Sequence, residues 1–169
     1  MNYQWNWGVF LQPSASGDDT YLGWMFAGFK MTIGLSLSAW VIALLLGALV
    51  GVLRTVPNKV LAGFATAYVE MFRNVPLLVQ LFIWYFVLPE LLPASIGDAY
   101  KQSNPVMQQF LASMICLGLF TSARVAEQVR AGIYSLPRGQ KNAGLALGFT
   151  LPQTYRFVML PMAFRLVVP

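Results

Sequence analysis

The sequence predicts an all-α membrane protein built as a bundle of several membrane-spanning helices. Of its 169 residues, 57% are hydrophobic and only 10% are charged, whereas soluble domains carry roughly a quarter charged residues. The apolar residues also fall in long blocks, several of them close to the roughly 20 residues that a helix needs to cross a bilayer. These two observations strongly disfavour a soluble fold.

Charge and side-chain chemistry exclude several classes of function. The net charge is +5, but the basic residues lie in two stretches between apolar blocks, so nucleic acid is not an expected partner. The chain contains no histidine, which removes the commonest metal ligand and general base. Its one cysteine, Cys116, lies in an apolar run and is expected to pack as a small hydrophobic side chain. We therefore expect no metal site and no catalytic residue.

Four apolar blocks define the predicted spans. They cover about 22–53, 75–92 and 106–125, and a fourth begins near Phe157. About 13 residues at a rise of 1.5 Å cover roughly 20 Å of a core near 30 Å, so the fourth span is expected to be incomplete at Pro169. The expected division is a periplasmic segment over 1–21 and a transmembrane domain over 22–169.

The charges of the loops predict the orientation. The N-terminal segment carries Asp18 and Asp19 and no Lys or Arg, whereas the first loop carries Arg54 and Lys59. The third loop and its edges are the most basic part of the chain, with Arg130, Arg138, Lys141 and Arg156. Cytoplasmic loops carry the excess of Lys and Arg, so we expect the N-terminus outside and the first and third loops in the cytoplasm.

The third loop contains the most informative local pattern. Pro137 should end the preceding helix, and a short helix with small residues on one face is expected over 140–147. Gly148 suits a C-terminal cap, and Pro152 suits the first turn of the next helix. Taken alone, the pattern fits a docking surface for another protein or a plain amphipathic turn at the membrane surface.

The spacing in this loop resembles the signature of the permeases of ATP-binding-cassette (ABC) importers. That signature reads Glu-Ala-Ala, three residues, Gly, nine residues, a β-branched aliphatic residue, one residue, and Leu-Pro. Here it falls on Asn142-Ala143-Gly144, Gly148, Val158 and Leu160-Pro161. Asn142 replaces the acidic residue, which leaves no charge for a salt bridge at that position, and Gly144 replaces the second alanine.

The resemblance implies that residues from about 131 to 156 form a cytoplasmic coupling loop, the segment that contacts the ATPase. The residues it implicates in coupling are Gly139, Asn142, Ala143, Gly144, Gly148, Leu160 and Pro161. A second match, over 70–80 with its Glu-x-x-Arg, Pro-Leu and Gln pattern, is similar to the branch that imports polar amino acids. Within that branch, the Trp5-Asn6-Trp7-Gly8 start and the Arg73-Asn74 pair resemble glutamate/aspartate permeases.

Charged and polar groups beside the spans are the candidates for a translocation path. Glu70 and Arg73 are three residues apart and can pair on one helix face, and Glu127 has Arg124 and Arg130 at the same spacing. Such groups usually face protein or a water-filled path. The candidates for the path or gate are Glu70, Arg73, Gln80 and Glu127. The alternative is that these groups only form ion pairs and hydrogen bonds between packed helices.

The resemblance implies ATP-driven alternating access for a polar amino acid, glutamate or aspartate. The chain has no Gly-x-x-x-x-Gly-Lys-Ser/Thr phosphate loop. We therefore expect no cofactor on this chain, and expect ATP and Mg on a separate cassette ATPase dimer. The other implied partners are a second permease chain, identical or a sister, an external amino-acid-binding protein, and the lipid of the bacterial inner membrane. The alternatives are a channel, an ion-coupled secondary transporter and an integral membrane enzyme.

Overall fold

The computed structural model describes residues 5–15, 17 and 19–167. The chain divides into two compact units, 1–37 and 38–169. The predicted outer charge at Asp18 and the expected stop at Pro169 lie outside the described residues.

The first unit begins with a short aromatic segment. A 3-10 turn covers Trp7–Leu11, and a β-bridge then pairs Pro13 with Thr20. The rings of Trp5 and Trp7 stack with their centroids 5.4 Å apart, and both side chains are mostly exposed. Exposed tryptophans of this kind are typical of the interface between lipid and water.

Helix α1 (Tyr21–Leu53) starts in the first unit and continues into the second, which confirms the first predicted span. Its 33 residues extend for about 50 Å at 1.5 Å per residue, well beyond a hydrocarbon core about 30 Å thick. Its large apolar side chains are exposed along most of its length. Such a helix suits lipid contact over much of its surface.

The second predicted span, 75–92, forms only part of a bent helix pair. Helix α2 (Lys59–Asn74) begins at Asn58, whose Oδ1 accepts hydrogen bonds from the Val60 and Leu61 N–H groups. It meets the next helix, Leu77–Leu91, at an angle of 101°. Pro76 produces the break, because proline has no N–H and holds the residue before it in an extended conformation.

The helix after the bend is short for a membrane span. It consists of α3 (Leu77–Phe82), a π-helical turn (Ile83–Val87) and α4 (Leu88–Leu91). Its roughly 15 residues cover about 22 Å, less than the hydrocarbon core. By length and composition, two of the described helices can cross a membrane, and the bent pair adds a third crossing if it counts as one span. Three crossings were predicted before the third loop, and the structure agrees with that number only if the bent pair is one span.

Helix α5 (Ala94–Lys101) leads into α6 (Pro105–Tyr134), which is longer than the predicted third span of 106–125. The Asn104 side chain starts α6 by accepting a hydrogen bond from the Val106 N–H at 2.8 Å. The helix passes the polar residues after position 125 without a break. Apolar content alone underestimates α6, because paired charged residues also continue a helix.

The third loop forms helix α7 (Arg138–Ala146), slightly offset from the predicted 140–147. The final helix begins at α8 (Leu151–Thr154), continues through a π-helical turn (Tyr155–Met159) and ends in α9 (Leu160–Val167). Pro152 lies in its first turn, as predicted. The helix therefore starts ahead of the apolar block that begins near Phe157.

Helix α6 is the centre of the second unit, where it contacts α2, α3, the first π-helical turn and α9. One core cluster joins it to α1 and α2, through Val50, Ala65, Val69, Phe72, Ala123 and Ala126. A second cluster joins its end to the final helix, through Ile133, Leu136, Tyr155, Met159 and Ala163. Cys116 is fully buried in α6, as expected for a small hydrophobic side chain.

Two glycines let α1 approach α6 closely. A Cβ atom at Gly47 would lie 2.6 Å from the Cβ of Val125 and 2.7 Å from the carbonyl oxygen of Ser122. At Gly51 it would lie 2.7 Å from the carbonyl oxygen of Ala126. The Gly-x-x-x-Gly spacing thus allows the two backbones to touch, as in membrane helix pairs generally.

We predict that Gly47→Ala separates α1 from α6 and destabilises the full-length protein by about 1–3 kcal/mol, the usual cost of overpacking. The matched control is Gly28→Ala, also within α1, because a Cβ there meets nothing within 4 Å. Thermal unfolding in detergent should give a lower Tm for Gly47→Ala and no loss for Gly28→Ala. Equal Tm values for both variants would contradict the close packing.

Candidate functional site

One carboxylate joins three helices through three arginines, a group that we call the Glu127 cluster (Arg54, Arg73, Glu127 and Arg130). Glu127 Oε1 accepts hydrogen bonds from Arg54 Nη1 at 2.7 Å and from Arg73 Nη1 at 2.9 Å. Its Oε2 accepts one from Arg130 Nε at 2.9 Å. The end of α1, the end of α2 and the last third of α6 are therefore linked at a single side chain.

The pairing of Arg73 differs from the sequence-based prediction. Arg73 contacts Glu127 rather than Glu70, and Glu70 is exposed and forms no ion pair among the described residues. The buried side of α2 is set by Val69 and Phe72. Arg73 lies at the edge of that side, whereas Glu70 lies about 100° around the helix from Val69 and points away from α6.

Arg124 was also predicted to pair with Glu127, and the structure places it elsewhere. Its guanidinium carbon lies 4.3 Å from the centroid of the Phe120 ring, in a cation–π contact. Both oxygens of Glu127 are already occupied by the three other arginines. Of the two partners predicted for Glu127 on α6, only Arg130 is confirmed.

Gln80 stabilises the bend between α2 and α3. Its side chain is buried, and Nε2 donates hydrogen bonds to the carbonyl oxygens of Phe72 and Val75, each at 2.9 Å. These carbonyls are at the end of α2, where the helix leaves its last acceptors without internal partners. Gln80 thus bonds a neighbouring helix, which was the alternative to a role in the path.

Gly148 follows helix α7, which we call the coupling helix, and has the predicted left-handed conformation, with φ +85°. Its N–H donates to the carbonyl of Leu145 at 3.0 Å, and the Phe149 N–H donates to the carbonyl of Gly144 at 3.2 Å. This pair of bonds is a Schellman motif, in which a residue without a Cβ is strongly favoured. The chain then turns directly into α8.

Gly144 holds the coupling helix against the final helix. A Cβ at Gly144 would lie 2.7 Å from Thr154 Cγ2, and Thr154 is fully buried. The glycine that departs from the family pattern therefore has a local partner, a threonine ten positions later. Spacing within the motif gave no sign of this contact.

The other residues of the family pattern divide between surface and core. Gly139, Asn142, Ala143 and Gly148 are exposed on α7 and its turn. Leu160 packs against the second core cluster, whereas Pro161 is exposed on α9. Leu145, Leu147 and Phe149 add an apolar surface beside the exposed small residues, with exposed fractions of 42%, 76% and 36%.

The first and third loops are joined by a hydrogen bond that the sequence did not indicate. The Tyr155 hydroxyl donates to the carbonyl oxygen of Thr55 at 2.8 Å. Both residues line a cleft of about 440 Å³ between the end of α6 and the coupling helix, together with residues such as Pro137, Lys141 and Asn142. The start of the final helix is therefore linked to the turn that follows α1.

Sequence comparison assigns the chain to a family. The family described as "Binding-protein-dependent transport system inner membrane component" matches residues 43–169. The chain belongs to this family. The matched region contains the Glu127 cluster, the bend at Gln80 and the whole coupling loop, so the resemblance to ABC importer permeases is confirmed.

Individual relatives agree with this assignment. The chain is 62% identical to the glutamate/aspartate import permease protein GltJ of Escherichia coli (strain K12), over all of this chain and 69% of GltJ. It is 34% identical to GltK of Escherichia coli O157:H7, over 99% of this chain and 69% of GltK. A solved structure of an amino acid ABC transporter with histidines matches 88% of this chain and 64% of its own, with 31% identity and a TM-score of 0.67.

We predict that Glu127→Gln destabilises this family member by about 1–3 kcal/mol, because it leaves guanidinium groups without their counter-charge. Arg54 is the most affected, since only 11% of its side chain is exposed. The matched control is Glu70→Gln, which removes a surface carboxylate that is unpaired among the described residues and should change stability by no more than about 0.5 kcal/mol. Thermal unfolding of the purified full-length protein measures both; equal effects would argue against the cluster.

Proposed function

We propose that this chain is a permease subunit of an ABC importer for glutamate and aspartate, one of two permease chains in the complex. The observation that carries the proposal is its 62% identity to GltJ over the whole chain. The similarity to GltK, a second glutamate/aspartate permease, supports a sister chain of that type as its partner. An external binding protein would deliver the amino acid.

The proposed orientation places the N-terminus outside and the coupling loop in the cytoplasm of a bacterial cell. No Lys or Arg precedes Lys30, whereas Arg54 and Lys59 flank the turn between α1 and α2. This asymmetry follows the excess of positive charge in cytoplasmic loops. The binding protein would then meet the outer end of the bundle.

The coupling loop would dock on a cassette ATPase that holds ATP and Mg. Its exposed small residues, Ala143 and Gly148, allow close approach to the backbone. The neighbouring Leu147 is three-quarters exposed and offers an apolar anchor. An apolar surface rimmed by polar groups is typical of a protein contact.

A series of contacts would link the coupling helix to the membrane helices. Gly144 packs on Thr154, and Tyr155 is hydrogen-bonded to Thr55 at the end of α1. Arg54, next to Thr55, reaches the Glu127 cluster. Closure of the ATPases could thus shift α1, α2 and α6 together.

The four residues that are candidates for the path or gate would have different roles. Arg73 and Glu127 would form the gate, because their ion pair joins two helices and can be broken when those helices separate. Gln80 would keep the bend between α2 and α3 fixed during the cycle. Glu70, exposed and unpaired among the described residues, would face water or the second permease.

The function is tested by reconstituting the full-length chain with its sister permease and ATPase, with the binding protein outside and ATP inside the vesicles. We expect uptake of radiolabelled glutamate and aspartate that stops when ATP or the ATPase is omitted. Uptake that instead follows an ion gradient without the ATPase would support a secondary transporter.

We predict that Gly148→Asp leaves membrane insertion intact but uncouples ATP hydrolysis from uptake or releases the ATPase. A side chain at φ +85° costs about 1 kcal/mol or more. A negative charge at a helix C-terminus also opposes the helix dipole. Co-purification of the ATPase and substrate-stimulated hydrolysis measure the effect.

The control for this prediction is Gly17→Asp. Gly17 also has a positive φ, +77°, and a Cβ there meets nothing within 4 Å, so the backbone strain is matched. It lies in the N-terminal segment of the sequence, outside the coupling loop, and should leave coupling unchanged. Normal coupling in both variants would mean that the loop is only an interfacial turn.

A further inference from the structure

One side of α6 carries several polar side chains that are at least partly exposed among the described residues. At its N-terminal end, Gln109 and Ser113 line a small cavity with residues of the short helix after the bend, such as Tyr85. We call this side the Arg124 face, and its polar members are Gln109, Ser113, Thr121, Arg124 and Gln128. At about 100° per residue these positions fall within an arc of roughly 120°. All are exposed except Ser113, which is half-buried. The buried residues of α6, such as Gly118, Ser122 and Ala126, occupy the other side.

Contact with lipid hydrocarbon is unfavourable for the polar residues of this face. A charged side chain on a membrane-spanning helix is costly in hydrocarbon, and it normally faces a water-filled cavity or another protein chain. Two glutamines and two hydroxyl side chains share the face with Arg124, and each would lose hydrogen bonds in lipid. The Arg124 face is therefore best matched by a hydrated surface in a transport protein.

The positive charge of Arg124 has no counter-charge among the described residues. The nearest carboxylate along the helix, Glu127, accepts hydrogen bonds from Arg54, Arg73 and Arg130. Arg124 instead lies over the Phe120 ring, and its side chain is exposed. Contact with the face of the guanidinium leaves the N–H groups along its edge available to an incoming acceptor.

The composition of the face indicates which anion would fit. An amino acid presents its α-carboxylate beside an ammonium group, and that ammonium requires an acceptor of its own. The Arg124 face carries a cation and neutral polar groups, and the one carboxylate within its arc, Glu127, is already hydrogen-bonded to three arginines. It therefore suits an isolated carboxylate, with hydroxyl and amide side chains to complete the hydrogen bonds.

We propose that Arg124 binds the side-chain carboxylate of the transported acidic amino acid and is a specificity-determining residue of the translocation path. The proposal rests on the function proposed above, import of glutamate or aspartate. An arginine can bind a carboxylate through two parallel N–H···O bonds. A neutral amide cannot supply the same charge, so the face would discriminate glutamate from glutamine.

The test compares Arg124→Gln with the conservative Arg124→Lys in the full-length complex of both permeases and the ATPase. Direct binding of radiolabelled glutamate is measured in detergent without the binding protein, with unlabelled glutamine as competitor. Lys30→Gln serves as the control, because it removes another exposed positive charge, from α1. Co-purification of the ATPase reports that each complex is assembled.

We expect Arg124→Gln to weaken glutamate binding at least tenfold, equivalent to about 1.4 kcal/mol. The preference for glutamate over glutamine should fall toward one. Arg124→Lys should retain part of both the affinity and the preference, since it keeps the charge but loses the paired geometry. Lys30→Gln should match the wild type.

Three results would contradict either the proposed role of Arg124 or the proposed function of the chain. Unchanged glutamate affinity and preference in Arg124→Gln would overturn the proposal and leave Arg124 as a contact for lipid phosphate or for the second permease. Equal loss of glutamate and glutamine binding would also overturn it, because it would indicate a structural role. A wild-type complex that neither binds nor transports glutamate or aspartate would contradict the proposed function itself.

Discussion

Three arginines from three helices share the carboxylate of Glu127, and the arrangement of the second unit depends on this contact. The cluster carries three positive charges and one negative charge, a local excess of two. In a partly buried site this excess is tolerated only where water or another anion is near, because desolvation of an unpaired guanidinium is costly. The same contact occupies Glu127 fully, which leaves Arg124 for a different partner.

The bend at Pro76 is the second constraint, because it divides the apolar residues between α2 and a short helix. The short helix after the bend cannot cross a bilayer alone, so α2 must complete the crossing or the pair must remain on one side. Gln80 stabilises the bend by bonding carbonyls at the end of α2 that lack partners within the helix. A π-helical turn follows on the short helix. Such turns often occur at functional sites in helices.

The coupling loop connects an exposed surface of small and apolar residues to the membrane helices through short, specific contacts. The Gly148 cap sets the direction of the turn, and the Gly144–Thr154 contact fixes α7 on the final helix. The bond between Tyr155 and Thr55 links the final helix to the end of α1. Rigid contacts of this kind transmit small shifts, because packed interfaces move between discrete arrangements.

The sequence by itself determined the membrane class, the first and third spans, the glycine cap at Gly148 and the family, because hydrophobic length, turn chemistry and motif spacing are local properties. Only the tertiary structure decided which charges meet. Local spacing favoured Arg73 with Glu70 and Arg124 with Glu127, yet packing of α2 on α6 turned Arg73 toward Glu127 and brought in Arg54 from α1. Ion pairs between helices depend on how each helix is rotated about its axis and how closely the helices pack. Residue spacing along one helix does not determine either of these.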